Sequence, residues 1–197
     1  MTFGTSSGII YVGQPKCPTM SDENILHTIE KDAETGFRML LRHYKEPVYW
    51  HIRRITVDHH AAEDALQETF LRVFRNIRKI KRDMSVSAWI FRIATNEALR
   101  MRRQLKILEH SLDCSTQPEA LAVVADDYCD YSNLETVRLQ NAIHSLPPKQ
   151  QLAFSLRYYN EFDYATIAAI MGSTAANAKA NYHAAKEKII HYMNTHD

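Results

Sequence analysis

The sequence predicts an all-α fold made of two small helical domains joined by an acidic linker. The 197 residues include only 5 glycines and 6 prolines, so few positions interrupt a helix. Apolar residues recur along most of the chain at intervals of three and four, which is the period of an amphipathic helix. Residues 104–133 lose this period, and a segment of about 30 residues is long for a loop within one domain, which indicates a domain boundary.

The domain before this boundary is predicted to hold four helices, after a disordered lead-in over residues 1–20. Ser21 can cap the first helix, and Ser85 can cap the fourth. Pro47 predicts a kink or a break in the second helix, because proline removes a backbone donor. The apolar spacing places the second, third and fourth helices at about 34–55, 60–80 and 85–103. One face of the third helix is predicted to carry Ala62, Leu66, Phe70, Val73, Phe74 and Ile77.

The domain after the boundary, residues 134–197, contains the pattern of a helix-turn-helix. The motif needs a small residue in its first helix, a glycine in its turn and a modest apolar residue in its second helix. Ala168, Gly172 and Ala178 meet these needs at spacings of four and six. A helical hairpin that packs or binds protein is the alternative for this segment taken alone. The side chains predicted to contact phosphates or base edges in the major groove are Asn177, Lys179, Asn181, His183 and Lys186.

The formal charge of the chain is +1, but it is distributed unevenly. Residues 75–103 carry nine basic and two acidic side chains, a net charge of +7, whereas residues 104–133 carry one basic and six acidic side chains, a net charge of −5. The basic segment indicates a polyanionic partner. Trp89 and Phe91 lie within it, and aromatic rings stack on unpaired bases, which favours melted DNA. Alternatively Trp89 is a core residue, because it shares a helix face with Ile93.

A second unusual stretch lies between Ile55 and Arg72 and contains no lysine or arginine. DNA would repel its acidic side chains, so the functional interpretation is a protein partner. The alternative is a solvated helix face. The acidic residues of the stretch are Asp58, Glu63, Asp64 and Glu68.

Other classes of function lack support in the sequence. There is no glycine-rich phosphate loop and no nucleophile context, and the spacing of His59, His60 and Glu63 fits no standard zinc motif, so no enzyme, cofactor or metal site is predicted. No run of roughly 18 to 20 apolar residues and no signal-peptide pattern occurs, so a cytoplasmic protein without membrane insertion is expected. The cysteines are predicted to be reduced and structurally minor, and they are Cys17, Cys114 and Cys129.

Several segments resemble extracytoplasmic-function sigma factors, the small subunits that direct bacterial RNA polymerase to promoters. They read FRMLLRHYKEPVYWHIRRI, AEDALQETFLRVFRNIRKI with SAWIFRIATNEALRMRR, and LQNAIHSLPPKQQLAFSLRYYNEFDYATIAAIMGSTAANAKANYHAAKEKI. The resemblance implies that residues 21–103 form the region 2-like domain, which binds core polymerase and the minus-ten element. It implies that residues 134–197 form the region 4-like domain, which binds the minus-35 element. Residues 104–133 would be a linker that threads polymerase channels.

The resemblance also implies residue roles. Core-polymerase contacts are expected from Asp64, Gln67, Glu68 and Phe70. Minus-ten contacts are expected from Asn76, Arg78, Lys79, Lys81, Arg82, Trp89, Arg92, Asn96, Arg100 and Arg103. Minus-35 contacts are expected from the five helix-turn-helix side chains named above. The implied partners are core RNA polymerase, promoter DNA and an anti-sigma factor.

Parts of the chain depart from the family pattern. Ala165 and Thr166 stand where family members often carry acidic residues, and Asn181 and Ala184 stand where they often carry arginines. The promoter bases therefore cannot be carried over. The lead-in has no family counterpart, so Met20 is an alternative initiator. The alternative function is a helix-turn-helix regulator that binds duplex DNA without polymerase, which leaves the acidic and the basic aromatic helices of the first domain without a purpose.

Overall fold

The computed structural model describes residues 22–80, 85–111 and 134–195, and all regular structure within these ranges is helical. The predicted all-α class is thereby confirmed. A 3-10 turn at Ile77–Lys79 follows the third helix. The eight α-helices of the described ranges are α1 (Asp22–Lys31), α2 (Ala33–Thr56), α3 (His59–Asn76), α4 (Val86–Ser111), α5 (Leu134–His144), α6 (Pro148–Tyr158), α7 (Tyr164–Met171) and α8 (Ala175–Thr195).

Two helices differ from their predicted extents. α2 runs through Pro47 without interruption, which excludes the predicted break. Proline removes one hydrogen bond there, but α2 packs against α1, α3 and α4, and this burial outweighs the local loss. α4 continues to Ser111, beyond its predicted end at Arg103. The lead-in, the predicted cap Ser21 and residues 112–133 of the predicted linker lie outside the described residues.

Side-chain caps determine where several helices begin. The carboxylates of Asp32, Asp58 and Asp163 accept hydrogen bonds from backbone N–H groups in the first turns of α2, α3 and α7, at 2.7 to 3.0 Å. The bond from the Thr166 N–H lowers the pKa of Asp163, because it stabilises the ionised carboxylate. Ser85 Oγ accepts a hydrogen bond from the backbone of the first turn of α4 at 3.2 Å, as predicted.

The N-terminal module comprises α1 to α4, with α2 at its centre. Leu40, Val48 and Ile52 on α2 are fully buried between the neighbouring helices. Gly36 lets α1 cross closely over α2, since a Cβ at this position would lie only 2.8 Å from the Ile29 Cα. The N-terminal module is thus a helical body packed around α2.

The C-terminal module comprises α5 to α8, with α6 and α8 in contact along their lengths. The Phe154 ring stacks between two tyrosine rings, with centroids 5.2 Å from Tyr158 and 5.9 Å from Tyr182. The buried residues of this small core are Ala142, Ile143, Leu146, Phe154, Ala185 and Ile189.

The two modules are packed directly against each other. α7 contacts α4, and α6 contacts α2. Leu156, Ile167 and Ala168 of the C-terminal module belong to the same buried cluster as the core of the N-terminal module. The two predicted domains therefore share one continuous apolar core in this structure.

A buried histidine joins α2 to α4 beside this shared core. The Thr95 hydroxyl donates its only proton to the Phe91 carbonyl oxygen at 2.7 Å, so it accepts from His51 Nε2–H at 2.8 Å. His51 Nδ1 then carries the lone pair, and the ring is neutral. Burial, assisted by the positive charge of Arg54, lowers the pKa of His51 to about 3.

This histidine predicts an acid-dependent stability. The unfolded chain binds a proton at His51 near pH 6.5, whereas the folded chain does so only near pH 3, so acidification favours unfolding between these values. Between pH 7 and pH 5 we expect the wild type to lose about 2 kcal/mol more unfolding free energy than His51→Gln, which cannot titrate. Urea denaturation at the two pH values measures the difference, and equal losses would show that His51 is not the titrating group.

Candidate nucleic-acid and protein interfaces

The predicted minus-ten residues of α4 line one side of the helix. Trp89, Arg92, Asn96, Arg100 and Arg103 follow one another at steps of three or four residues, which places them on a single stripe. Arg92, Asn96 and Arg103 are exposed. Trp89 is partly buried and packs against the core cluster while keeping part of its ring accessible. The stripe thus combines exposed cations with one anchored aromatic ring.

Arg100 is engaged within the protein more than the sequence suggested. Its Nε donates to Glu97 Oε2 at 2.9 Å, and Arg72 Nη1 lies 2.9 Å from Glu97 Oε1. Arg72 also pairs with Glu68 at 3.1 Å. Glu97 is only 2% exposed. Two guanidinium groups therefore compensate one buried carboxylate, and the Arg100 charge is partly neutralised before any phosphate arrives.

The 3-10 turn after α3 positions the next predicted contacts. Lys79 Nζ donates to Asn76 Oδ1 at 2.9 Å, and Asn76 Nδ2 donates to the Arg72 carbonyl oxygen at 2.9 Å. The Asn76 side chain thus holds Lys79 in place through its Oδ1, while one of its two amide N–H groups is bonded to the backbone. Arg78 is exposed. Lys81 and Arg82 lie outside the described residues.

One residue of α3 that was predicted to contact core polymerase is buried. Phe70 is 6% exposed and belongs to the core, because it projects from the side of α3 that packs against the other helices. Asp64 and Gln67 are exposed as predicted, and Glu68 is partly exposed. Burial removes Phe70 from any intermolecular surface in this arrangement.

The outer face of α3 also carries two apolar residues. Neither was assigned to a binding surface from the sequence. Leu71 is 48% exposed and Phe74 is 50% exposed, whereas Phe74 was predicted to share a face with the core residues of this helix. Leu71 and Phe74 follow Asp64 by seven and ten residues, and this helical spacing places them on the same face of α3 as the acidic side chains. The Phe37 ring contacts the Phe74 ring edge to face, with the two ring centroids 5.0 Å apart. The sequence could have indicated these two residues, because they form a second apolar stripe on α3 that falls outside the period of the core residues.

The helix-turn-helix has the predicted local structure. Gly172 ends α7 in the left-handed conformation with φ of 63°, and its N–H bonds to the Ala168 carbonyl. Thr174 Oγ1 then accepts from the Asn177 N–H at 3.2 Å, which caps α8. Ala178 is fully buried between the helices. The small residues thus permit the close crossing that the motif requires.

The five predicted minus-35 residues lie on two flanks of the buried stripe of α8, with Lys179, His183 and Lys186 on one flank and Asn177 and Asn181 on the other. Asn177, Lys179, His183 and Lys186 are exposed, and Asn181 is partly exposed. Asn181 Nδ2 donates to the Asn177 carbonyl oxygen at 2.8 Å, which leaves its second amide N–H and its Oδ1 available to a partner. One flank thus presents cations and the other presents amides, and both kinds of side chain are used by helices that read the major groove.

Family comparisons agree with this two-module layout. Residues 40–106 match Sigma-70 region 2, and residues 136–189 match Sigma-70, region 4. The chain belongs to the sigma-70 family, as an extracytoplasmic-function RNA polymerase sigma factor. Sigma factors of this family are transcription initiation factors rather than enzymes.

Curated relatives of this sigma factor support the assignment. The chain is 27% identical to the ECF RNA polymerase sigma factor SigW of Bacillus subtilis over 170 residues, which cover 82% of this chain and 90% of the relative. It is 31% identical to the ECF RNA polymerase sigma factor SigE of Mycolicibacterium smegmatis over 172 residues, 86% of this chain and 66% of that protein.

Solved sigma-factor structures share the fold. CnrH, in complex with the cytosolic domain of CnrY, matches with a TM-score of 0.68 at 15% identity, over 89% of this chain and 99% of that one. RpoE from Bartonella quintana, in complex with the anti-sigma factor NepR, matches with a TM-score of 0.66 at 21% identity, over 82% and 98%. At these identities the likeness shows the fold of the sigma factor.

The same described ranges of the sigma factor bear on membrane insertion and on metal binding. No helix there is both long enough and apolar enough to span a bilayer. No group of three or more histidine, cysteine, aspartate or glutamate side chains in those ranges is arranged to hold a metal ion.

The Glu97 cluster predicts a measurable contribution to stability. Glu97→Gln leaves Arg72 and Arg100 without their shared counter-charge, and we expect a loss of about 2 kcal/mol of unfolding free energy, since both arginines can still reach water. Glu34→Gln is the matched control, because the Glu34 pair with Arg38 is exposed on both sides and the change should cost only a few tenths of a kcal/mol. Chemical denaturation compares the two, and equal losses would contradict a special role for the buried carboxylate.

Proposed function

We propose that this sigma factor divides its work among three surfaces: the outer face of α3 binds core RNA polymerase, the α4 stripe holds the melted minus-ten element, and α8 reads the minus-35 duplex. The observation that carries the proposal is the separation of charge on the N-terminal module. The acidic and apolar face of α3 and the basic face of α4 belong to one packed body but present opposite chemistry to their surroundings.

The α3 surface suits a protein partner better than a nucleic acid. Asp64, Gln67 and Glu68 surround the half-exposed Leu71 and Phe74. An apolar centre with a charged rim is the usual composition of a protein interface. Nucleic acid would be repelled by the carboxylates and would gain little from the apolar side chains. We therefore assign this surface, with Leu71 and Phe74 in place of Phe70, to core polymerase.

The α4 stripe suits unpaired DNA. Arg92 and Arg103 are exposed for phosphate contacts, and together with Arg78 and Lys79 of the preceding turn they extend the basic surface. Trp89 is anchored by the core on one side, so its accessible part can stack on a base at little entropic cost. Stacking with phosphate contacts favours single strands over a closed duplex. Lys81 and Arg82 belong to the same proposed surface.

The α8 face suits a duplex. Its lysines can neutralise phosphates, while Asn177, Asn181 and His183 can reach base edges. α8, Ala175–Thr195, contains no arginine, so guanine contacts from this helix would fall to its lysines. The minus-35 element of this sigma factor should therefore differ from one read by arginines.

The same proposal covers domain limits, location and regulation. The region 2 domain extends through α4, residues 104–133 include the linker to the region 4 domain, and the chain works in the cytoplasm with the polymerase. RpoE of Bartonella quintana is described in complex with an anti-sigma factor. An anti-sigma factor is accordingly expected to bind this sigma factor as well.

Transcription by reconstituted polymerase tests the function and the α3 assignment together. The purified chain with bacterial core polymerase should initiate on a subset of templates bearing a randomised upstream segment, where core alone does not. Asp64→Arg and Leu71→Ser should each weaken core binding roughly fivefold to tenfold, because they remove charge and apolar complementarity.

The matched control is Glu46→Arg, the same reversal at an exposed position on α2. It should leave core affinity unchanged. Duplex binding by the chain without any initiation would support the regulator alternative instead, and equal losses for Asp64→Arg and Glu46→Arg would contradict the α3 assignment.

Fluorescence titration with single-stranded oligonucleotides tests the α4 stripe. Trp89→Ala should weaken binding about tenfold, since base stacking on an aromatic ring contributes roughly 1 to 3 kcal/mol, while Trp89→Phe should keep most of the affinity. Trp50→Phe on α2 is the control for changing a tryptophan elsewhere in the module. If Trp89→Ala binds single strands as tightly as the wild type does, the ring serves the core alone.

A further inference from the structure

We infer that Arg72 of α3 and Arg100 of α4, both paired with the buried Glu97 carboxylate, form a clamp for one backbone phosphate of the DNA strand that this sigma factor binds. The inference rests on the proposed function and deepens it, because it adds a residue of α3 to a DNA surface otherwise made of α4 and the turn before it. The group that the clamp recognises is a phosphodiester of a single strand.

One carboxylate anchors both guanidinium groups. Arg72 Nη1 lies 2.9 Å from Glu97 Oε1, and Arg100 Nε donates to Glu97 Oε2 at 2.9 Å. The two bonded nitrogens thus contact the two oxygens of a single carboxylate, which keeps arginines of different helices next to each other. Two neighbouring cations repel each other unless an anion compensates them, and Glu97 is that anion on the inner side of the pair.

The arginines reach solvent although their anchor does not. The Glu97 side chain is 2% exposed, whereas the side chains of Arg72 and Arg100 are 46% and 42% exposed. A guanidinium carries five N–H donors, and the ion pairs with Glu97 and Glu68 use only part of them. Each arginine therefore has further donors on a nearly half-exposed side chain, in the planar fork that suits phosphate oxygens.

The anchored geometry also lowers the cost of binding. An arginine that is free in solvent loses rotamer entropy when it grips a phosphate. Glu97 already restricts both side chains, because each of them holds one carboxylate oxygen. A phosphate that bridges the two guanidinium groups therefore finds them in place.

The charge of the cluster favours an anion on its outer side. Arg72, Arg100 and Glu97 together carry a formal charge of +1. The exposed Arg75 follows Arg72 by three residues on α3, and the exposed Arg103 follows Arg100 by three residues on α4. The positive surface thus continues on both helices, as a strand with several phosphates requires.

Glu68 differs from Glu97 in a way that makes the inference testable. Its carboxylate also pairs with Arg72, at 3.1 Å, but its side chain is 30% exposed. Glu68 therefore competes with a phosphate for Arg72, whereas Glu97 orients both arginines from the protein interior. Loss of either negative charge makes the surface more positive, but only loss of the Glu97 charge releases both guanidinium groups from their shared anchor.

Binding of a fluorescent single-stranded oligodeoxythymidylate to the full-length chain provides the first arm of the test. Arg72→Gln and Arg100→Gln should each weaken binding roughly fivefold, and the double variant should be little weaker than either, because both changes break the same phosphate contact. Each should reduce the slope of log affinity against log salt by about 0.7, the value for one phosphate of a single strand. The matched control is Arg38→Gln, an exposed arginine that also pairs with a glutamate one turn away, and it should change neither quantity.

The two carboxylates provide the second arm. Glu97→Gln should weaken strand binding about threefold although it adds positive charge, since the arginines lose their orientation, while Glu68→Gln should strengthen binding about twofold. Circular dichroism at the assay temperature checks that both variants remain helical. If Glu97→Gln strengthens binding as Glu68→Gln does, the cluster attracts DNA through its net charge alone and the clamp is refuted.

Neutral methylphosphonate linkages, placed one at a time in a single strand that covers the minus-ten element of a selected promoter, provide the third arm. The wild-type holoenzyme should lose affinity at one linkage where Arg72→Gln and Arg100→Gln lose nothing further. Inorganic phosphate at constant ionic strength should not release the strand. Release by millimolar phosphate would show a site for small anions and would overturn the assignment to a strand.

The outcomes separate this inference from the proposed function. Unchanged affinity and salt slope in both arginine variants would overturn the clamp, while initiation with core polymerase would still support the proposed function. If the wild type does not initiate with core polymerase, the proposed function fails, and the oligodeoxythymidylate titrations still decide whether Arg72 and Arg100 share a phosphate.

Discussion

The packing of α4 against α2 and α3 and against the C-terminal module is the interaction on which the rest of the structure depends. One part of that face meets α2 and α3, where Val86, Ile90 and Ala94 are fully buried. Phe91, turned toward the C-terminal module, meets Phe162. The opposite side carries the stripe from Trp89 to Arg103. A single helix thus orders the core of one module, receives the other module and presents the cations that nucleic acid requires.

Charge compensation keeps these tasks compatible. A helix with many arginines next to an apolar core would otherwise place uncompensated cations at the core edge. The Glu97 carboxylate compensates these charges, because it accepts a hydrogen bond from Arg100 and forms an ion pair with Arg72. The pair with Arg72 also holds α4 to α3. Because Arg72 also pairs with Glu68, a continuous series of ion pairs runs from the acidic face of α3 to the basic stripe of α4. The proposed polymerase and DNA surfaces are thereby mechanically connected.

The periodicity of the sequence predicted most of the helices, but it could not predict which of their apolar residues lie outside the core. Gly172 and Ser85 have local roles, a left-handed turn and a cap, so both roles could be predicted from neighbouring residues in the sequence. Phe70 and Phe74 both fit a loose helical stripe, yet the first is buried and the second is half exposed, because the directions of α2 and α4, which pack against α3, decide where its buried face ends. The contact between the modules depends on residues 71 positions apart, Phe91 and Phe162, for which spacing along the chain carries no signal.

In the proposed function, the N-terminal module binds the opened DNA strands while the C-terminal module binds duplex DNA on the polymerase. Permanganate footprinting of a promoter selected with the holoenzyme tests it most directly, because permanganate oxidises thymines that are unstacked. Reactive thymines are expected around the minus-ten element only when core polymerase and this sigma factor are both present, together with protection of the minus-35 element in the same complex. Protection of duplex DNA by the chain, with no reactive thymine at any concentration of core, would contradict it.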